Sequence, residues 1–227
     1  MPRVGHSSLP SGRIRALICR QIDSELSCGC GGPRRLKSNG WRTVNRPREK
    51  GARRNLTVQG VGRKGRGVVT IGPIKAGTLV VGYYGRPKWI WEIPERDWEF
   101  CVQVGHDRYV VPRRGSFGRY VNHSCDPNCV IRGAGRVVAR RDIEKGEEIT
   151  FDYSTNVGWG PYRMKCMCGA RNCRKTIRSY PHLPASLKRK YGRNVSAFLM
   201  EESAGLRRGS RVRWGGPPRT MRDTRPG

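Results

Sequence analysis

Two short stretches constrain this chain more than any other feature: residues 119–129, RYVNHSCDPNC, and residues 146–173, which contain GEEITFDY and end in CMCGARNC. The first crowds an amide, an imidazole, a hydroxyl and two thiols into the eight residues from Asn122 to Cys129. The second closes on a C-x-C-x4-C cluster of Cys166, Cys168 and Cys173. Three sulfurs so spaced are one ligand short of a closed tetrahedral zinc site. Cys125 or Cys129 is the most economical fourth. Either choice folds the second stretch back onto the first and brings Asn122, His123 and Tyr153 to one place.

The cysteine count supports metal over disulfides. There are nine cysteines, an odd number, and six of them fall in C-x-C or NHSC-type clusters, which favours a metal site in a reducing compartment. At 227 residues the chain holds one domain of ordinary size plus tails, and no second globular domain is expected. No run of 18 apolar residues is present to span a bilayer. The first residues lack a sustained apolar region, so a secretory signal is not expected; a basic, acid-poor transit-type peptide stays open.

Charge is unevenly spread. Residues 57–178 carry 22 Lys and Arg against 11 Asp and Glu, an excess of 11, whereas the remainder carries 24 against 6, an excess of 18. Such basic arms read either as polyanion-binding, nucleic acid foremost, or as solvated disordered extensions.

Along the chain, residues 1–56 are rich in Arg, Gly, Ser and Pro, with a short helix expected only over 14–22 and with Cys19, Cys28 and Cys30 read as incidental thiols of a mobile arm. From Val58 the texture changes to short β-branched runs punctuated by Gly and Pro. IGPIKAGTLV (71–80) and RRDIEKGEEI (140–149) share an isoleucine three residues before a glycine, which predicts two related tight corners with positive φ at Gly77 and Gly146. WIWEIPERDWE (89–99) is the one acidic patch. It is read as a helix with Trp packed inward, as the wall of a groove attracting a basic peptide, or as both. Strands are expected over 100–104 and 108–111 around a Gly105–Asp107 turn that includes His106, and a hairpin over 129–132 and 136–139 turning at Gly133 and Gly135. Past Ile177 polarity returns, with a helix expected within 186–200 and a disordered tail from 207.

The order and spacing of KGRGVV, VGYYG, RYVNHSCDPNC, GEEITFDY and CMCGARNC resemble the SET-domain lysine methyltransferases over residues 61–177, roughly half the chain. The resemblance implies a mainly β fold, a SET-type β-clip domain of short sheets with a threaded C-terminal segment and a post-SET zinc site. The expected domains are a basic arm (1–56), the SET domain (57–160), a post-SET zinc-binding segment (161–178) and a basic tail with a short helix (179–227).

It also implies the chemistry: methyl transfer from S-adenosylmethionine to a lysine ε-amine. Tyr153 matches the family's catalytic tyrosine, Tyr83 an aromatic lining the lysine channel, and Phe151 a position where Phe, rather than Tyr, leaves room for di- or trimethylation. Lys64, Gly65, Arg66 and Gly67 resemble the cofactor loop. Arg119, Asn122 and His123 match a further cofactor-binding motif, Asn122 toward the methionine end and His123 toward the adenine through its backbone. For structural zinc the family uses Cys125, Cys166, Cys168 and Cys173, with Cys129 the alternative fourth ligand. Relatives usually have Glu where Gly82 and Arg86 stand, and Asp where Pro112 stands, which puts local packing and the substrate edge strand in doubt.

The reaction sets a physical requirement. Free lysine, with a pKa of about 10.4, has no lone pair at neutral pH; an aromatic, desolvating channel and a neighbouring sulfonium both favour the neutral amine. The expected substrate is a basic protein tail, a histone first, in the nucleus or on chromatin. The alternatives are a ribosomal or other non-histone substrate, and a non-enzymatic zinc-stapled module that binds nucleic acid.

Overall fold

The computed structural model describes residues 52–158 and 162–201. The helix expected over 14–22, Cys19, Cys28, Cys30, the bulk of the N-terminal arm and the tail from 202 lie outside the described residues.

Short strands dominate. They are β1 (Leu56–Gly60), β2 (Arg66–Thr70), β3 (Leu79–Gly82), β4 (Val102–Gly105), β5 (Arg108–Val110), β6 (Asn122–His123), β7 (Cys129–Arg132), β8 (Arg136–Ala139), β9 (Thr150–Phe151), β10 (Arg163–Lys165) and β11 (Thr176–Arg178). They pair antiparallel as β1–β2, β4–β5, β10–β11 and β3–β8–β7. The exception is β6–β9, which is parallel, with Asn122 opposite Thr150 and His123 opposite Phe151. A helix, α1 (Ala185–Tyr191), follows the last strand, and residues 197–201 are helical again.

The two corners foreseen from the repeated isoleucine–glycine pattern exist, with φ of 81° at Gly77 and 91° at Gly146. They also meet: the Ile74 N–H donates to the Ile143 carbonyl at 2.9 Å, and the Ile143 N–H returns the bond to Ile74 at 2.8 Å. Asp142 strengthens the junction by accepting from the Ala76 N–H and the Lys75 ammonium, each at 2.8 Å. The β7–β8 hairpin turns at Gly133 and Gly135, where φ is 58° and 98°. Val68, Val81, Val137, Ile131, Ile143 and Ile149 fill the core beneath these strands.

Three local expectations change. Residues 89–99 form two 3-10 turns, Ile90–Glu92 and Glu95–Phe100, rather than one helix; Pro94 between them lacks an N–H and its ring would clash with the preceding turn. The residue pointing inward is Ile93, while the tryptophans are half-buried, Trp89 stacked on Trp91. β1 is a strand that the chain's texture did not announce, and the turn before it, Ala52–Asn55, buries Ala52. The helix expected within 186–200 is interrupted after Tyr191, where Gly192 takes φ 53°, the usual C-terminal role of glycine, and helical backbone resumes at 197. Residues beyond it fold back, and Leu183, Tyr191, Val195, Phe198 and Leu199 make a second small core.

Candidate active site and sulfur cluster

The parallel β6–β9 pair is the structural root of the site. It aligns NH of NHSC with TF of ITFDY, and the Ser124 N–H extends the ladder by donating to the Phe151 carbonyl at 3.2 Å. Asn128 supports it from the side. Its carboxamide donates to the Glu148 carbonyl at 2.9 Å and accepts from the Thr150 N–H at 3.0 Å, so a side chain completes the edge of β9.

Tyr153 follows directly. Its backbone N–H donates to His123 Nδ1 at 3.1 Å, and its hydroxyl donates to the Val121 carbonyl at 2.8 Å. Its ring lies 5.1 Å from Phe151 and 5.4 Å from His123. Tyr83 packs edge-on against Phe151 at 6.4 Å between Gly118 and Gly135, where a Cβ would stand 3.1 and 3.0 Å from Tyr83 atoms. Burial pushes the phenols of Tyr83 and Tyr153 well above their usual pKa. Burial therefore favours the neutral phenol in both and keeps water from their rings.

The glycine loop meets this pair through Asn122. The Asn122 amide nitrogen donates to the Arg66 carbonyl at 3.0 Å and to Glu148 Oε1 at 2.8 Å, while the other Glu148 oxygen pairs with Lys64. Both partners of the amide are acceptors, which fixes NH₂ toward them and leaves the Asn122 oxygen as the atom that can accept from a ligand. Gly67 lies so close that a Cβ would stand 2.7 Å from Glu148 Oε1 and 3.0 Å from Asn122 Nδ2. Gly65, with φ 79°, has open space on the side where a side chain would stand, so a ligand can reach its backbone.

Arg119 is placed differently. Its guanidinium donates to the Pro112 carbonyl at 3.0 Å and to Asp97 at 3.1 Å, and it stacks over Phe100. It ties the acidic segment to the loop ahead of Asn122. Glu92 is used to cap the Trp89 N–H; Glu95 and Glu99 are left exposed.

The sulfurs converge as the spacing required. Cys125 and Cys166 stand 3.7 Å apart, Cys168 accepts from the Cys125 N–H at 3.5 Å, and Cys173 packs against the same small cluster. With Zn–S bonds of about 2.3 Å, the edge of a thiolate tetrahedron is about 3.8 Å, so these residues fit a structural zinc ion. Burial raises the Cys168 thiol, but the N–H groups of Cys125 and Ala170 and the neighbouring thiols outweigh it and hold it at about 6. Cys129 sits elsewhere, fully buried in β7 within the main core. His123 Nε2 lies 3.3 Å from Cys125, within 4.8 Å of the sulfurs of Cys166 and Cys168. Burial first, then Arg174 and Lys64, lower its pKa to about 4 against the opposing pull of Asp152. The ring is neutral, and because Nδ1 accepts from Tyr153 the proton is on Nε2. His123 Nε2 thus faces the Cys125 sulfur, placed to donate to it as outer-shell groups do or to join Cys125, Cys166 and Cys168 around an ion.

Asp152, Arg174 and Tyr191 form a network that the motifs did not reveal. The Asp152 carboxylate is fully buried and accepts two bonds of 2.6 Å from Arg174, one of 3.0 Å from the Ser154 N–H and one of 3.0 Å from the Tyr191 hydroxyl. Its signal in the sequence was a carboxylate set between Phe and Tyr in an apolar run, which requires a buried cation.

The SET domain family model matches residues 65–154. Among curated proteins, the chain is 32% identical over 156 residues to the probable histone-lysine N-methyltransferase set-23 of Caenorhabditis briggsae, covering 59% of this chain and 64% of that protein. It is 35% identical over 139 residues to the Caenorhabditis elegans protein of the same name, covering 50% and 56%. The chain thus spans less than two thirds of the length of these relatives. A solved structure of the methyltransferase domain of human histone-lysine N-methyltransferase SETMAR aligns over 55% of this chain and 58% of that one, at 25% identity and a TM-score of 0.45. The stretch that is similar to the SET domain, residues 65–154, holds Gly65, Gly67, Asn122, His123 and the three aromatic side chains.

Proposed function

We propose that this chain is an S-adenosylmethionine-dependent protein-lysine N-methyltransferase acting on a basic protein tail, with a histone tail the first candidate. The observation that carries this reading is the meeting of Tyr153 with the β6–β9 pair: its hydroxyl proton is committed to the Val121 carbonyl at 2.8 Å. The phenolic oxygen therefore keeps its lone pairs for weak C–H···O contacts beside the reacting atoms. When bound, S-adenosylmethionine would supply an electrophilic methyl on a sulfonium.

Each group has a role that its surroundings support. Gly65 leaves its backbone open to the cofactor, Gly67 makes room for Glu148 and Asn122, and the Asn122 oxygen would accept from the methionine end of the cofactor. Lys64, paired with Glu148, and Arg66, whose carbonyl takes the Asn122 amide, shape that loop. Arg119 acts at one remove, by holding the acidic segment. His123 braces Tyr153 and Cys125. Tyr83, Phe151 and Tyr153 form a dry aromatic lining that disfavours the lysine ammonium and frees its lone pair; Phe151 lacks a hydroxyl to hold water, which suits di- or trimethylation. Cys125, Cys166, Cys168 and Cys173 would hold a structural zinc, which would clasp the segment after β9 against the site. Exposed Glu95 and Glu99 favour a lysine- and arginine-rich substrate over the otherwise basic surface. A histone substrate places the protein in the nucleus or on chromatin.

The test is transfer of radiolabelled methyl to nucleosomes, free histones and ribosomal fractions, paired with calorimetric titration of S-adenosylmethionine. Labelled histone with saturable cofactor binding is expected. Label only in ribosomal protein would move the substrate. No cofactor binding, with retained nucleic-acid affinity, would replace the enzyme with a scaffold that binds nucleic acid.

A further inference from the structure

We infer that Tyr191, at the end of α1, is a positioning residue for Tyr153, which makes the segment 180–201 a working part of the site; this rests on the methyl-transfer reading above. The Tyr191 ring belongs to the small core of Leu183, Val195, Phe198 and Leu199. A phenylalanine would fill that core equally well. The hydroxyl instead leaves it and donates to Asp152 Oδ2 at 3.0 Å.

Asp152 is the residue through which this contact reaches the chemistry. Its other oxygen accepts from the Ser154 N–H at 3.0 Å, capping the 3-10 turn Tyr153–Thr155. Arg174 neutralises the carboxylate from one side. Tyr191 engages Oδ2 from the small core, so the carboxylate plane, and with it the turn, is fixed by more than one element. The same segment grips the far end of the turn independently. The Ser196 N–H donates to the Thr155 carbonyl at 3.0 Å, and the Asn156 carboxamide donates to Ser196 Oγ at 2.7 Å. The turn of Tyr153 is thus held at one end through Tyr191, the last residue of α1, and at the other by Ser196, which follows it. A displacement of a reacting group by a fraction of its hydrogen-bond length is costly in rate, so a hydroxyl 39 residues away bears on the aim of the phenol.

The experiment compares wild type with Tyr191→Phe, which keeps the ring and removes only the hydroxyl, and with Ser196→Ala. Two readouts are taken: steady-state methyl transfer to a histone peptide, and amide hydrogen exchange without any cofactor. Either substitution is expected to lower kcat about tenfold with KM for peptide and cofactor changed by less than about twofold. Exchange of the amides of 153–156 is expected to rise about tenfold, with those of β1 and β2 unchanged. Unaltered exchange at 153–156 overturns the coupling whatever the activity. Altered exchange with wild-type kcat overturns the positioning role. Altered exchange in the variants, with a wild-type chain that transfers no methyl to any substrate, supports the coupling and sinks the methyl-transfer reading alone.

Discussion

The Tyr153 hydroxyl donates to the carbonyl of Val121 at 2.8 Å, one residue before the asparagine that contacts the glycine loop. A side chain from one stretch thereby bonds the backbone of the other at the point where the site forms. Tyr153→Phe removes that bond and leaves the carbonyl unpaired. Stability should fall by about 1–3 kcal/mol, and kcat by about 10²-fold, while affinity for S-adenosylmethionine changes less than about threefold. Denaturant melts, single-turnover transfer and calorimetry check the three quantities. An unchanged kcat would remove Tyr153 from the chemistry.

Metal content separates the cysteines. Wild-type protein is expected to bind one zinc ion per chain by elemental analysis, and Cys168→Ser or a strong chelator should remove it and lower stability by several kcal/mol, since ligation is coupled to folding. Cys129→Ala should keep the metal, because Cys129 packs in β7 against the main core. Loss of zinc from Cys129→Ala would reassign the fourth ligand.

Acid stability should depend on Glu147. Hydrogen bonds from Arg141, at 2.9 and 2.5 Å, and from the Glu144 N–H outweigh burial and hold its pKa at about 2. A depressed folded-state pKa stabilises above the unfolded value of about 4.3, and that stability is lost as pH falls toward 2. Because Arg141 is half exposed, the contribution is about 1 kcal/mol or less and shrinks with salt. Urea midpoints measured from pH 6 to pH 2 should fall less steeply in Glu147→Gln than in wild type. Parallel curves would show that the pair contributes nothing.

Gly67→Ala tests the junction of loop and asparagine. The new Cβ would stand 2.7 Å from both Glu148 Oε1 and Val61 Cγ2. Overpacking of this kind costs about 1–3 kcal/mol, and prising Glu148 from Asn122 should weaken cofactor binding about tenfold. Calorimetry decides: wild-type affinity in a folded variant would detach this loop from cofactor recognition.

Much of the site could be read from spacing. The C-x-C-x4-C cluster lacked a ligand, and the missing thiol had to come from the stretch holding Asn122 and His123; the β6–β9 pair is the backbone counterpart of that requirement. Gly77 and Gly146 were legible because a repeated isoleucine–glycine interval demands a tight turn, although nothing local said that Ile74 and Ile143 would bond to each other.

Other features were hidden for physical reasons. Arg119 belongs to a motif, yet its charge answers Asp97, a residue 22 positions earlier. Pro94 broke the helix expected over 89–99, since hydrophobic periodicity does not register a missing N–H. Asp152 and Tyr191 meet only because Gly192 ends α1 and the following residues fold back, a relationship without periodicity or local pattern.

The parallel register of β6 and β9 also carries a kinetic consequence. Asn122 faces Thr150, so the intervening loop must close before either strand gains its partner, whereas the β7–β8 hairpin inside that loop needs only a short turn. Contacts distant along the chain form late, because loop closure is paid for in entropy before any contact rewards it. Refolding should therefore raise the hairpins first, and competence for chemistry should arrive in the slowest phase.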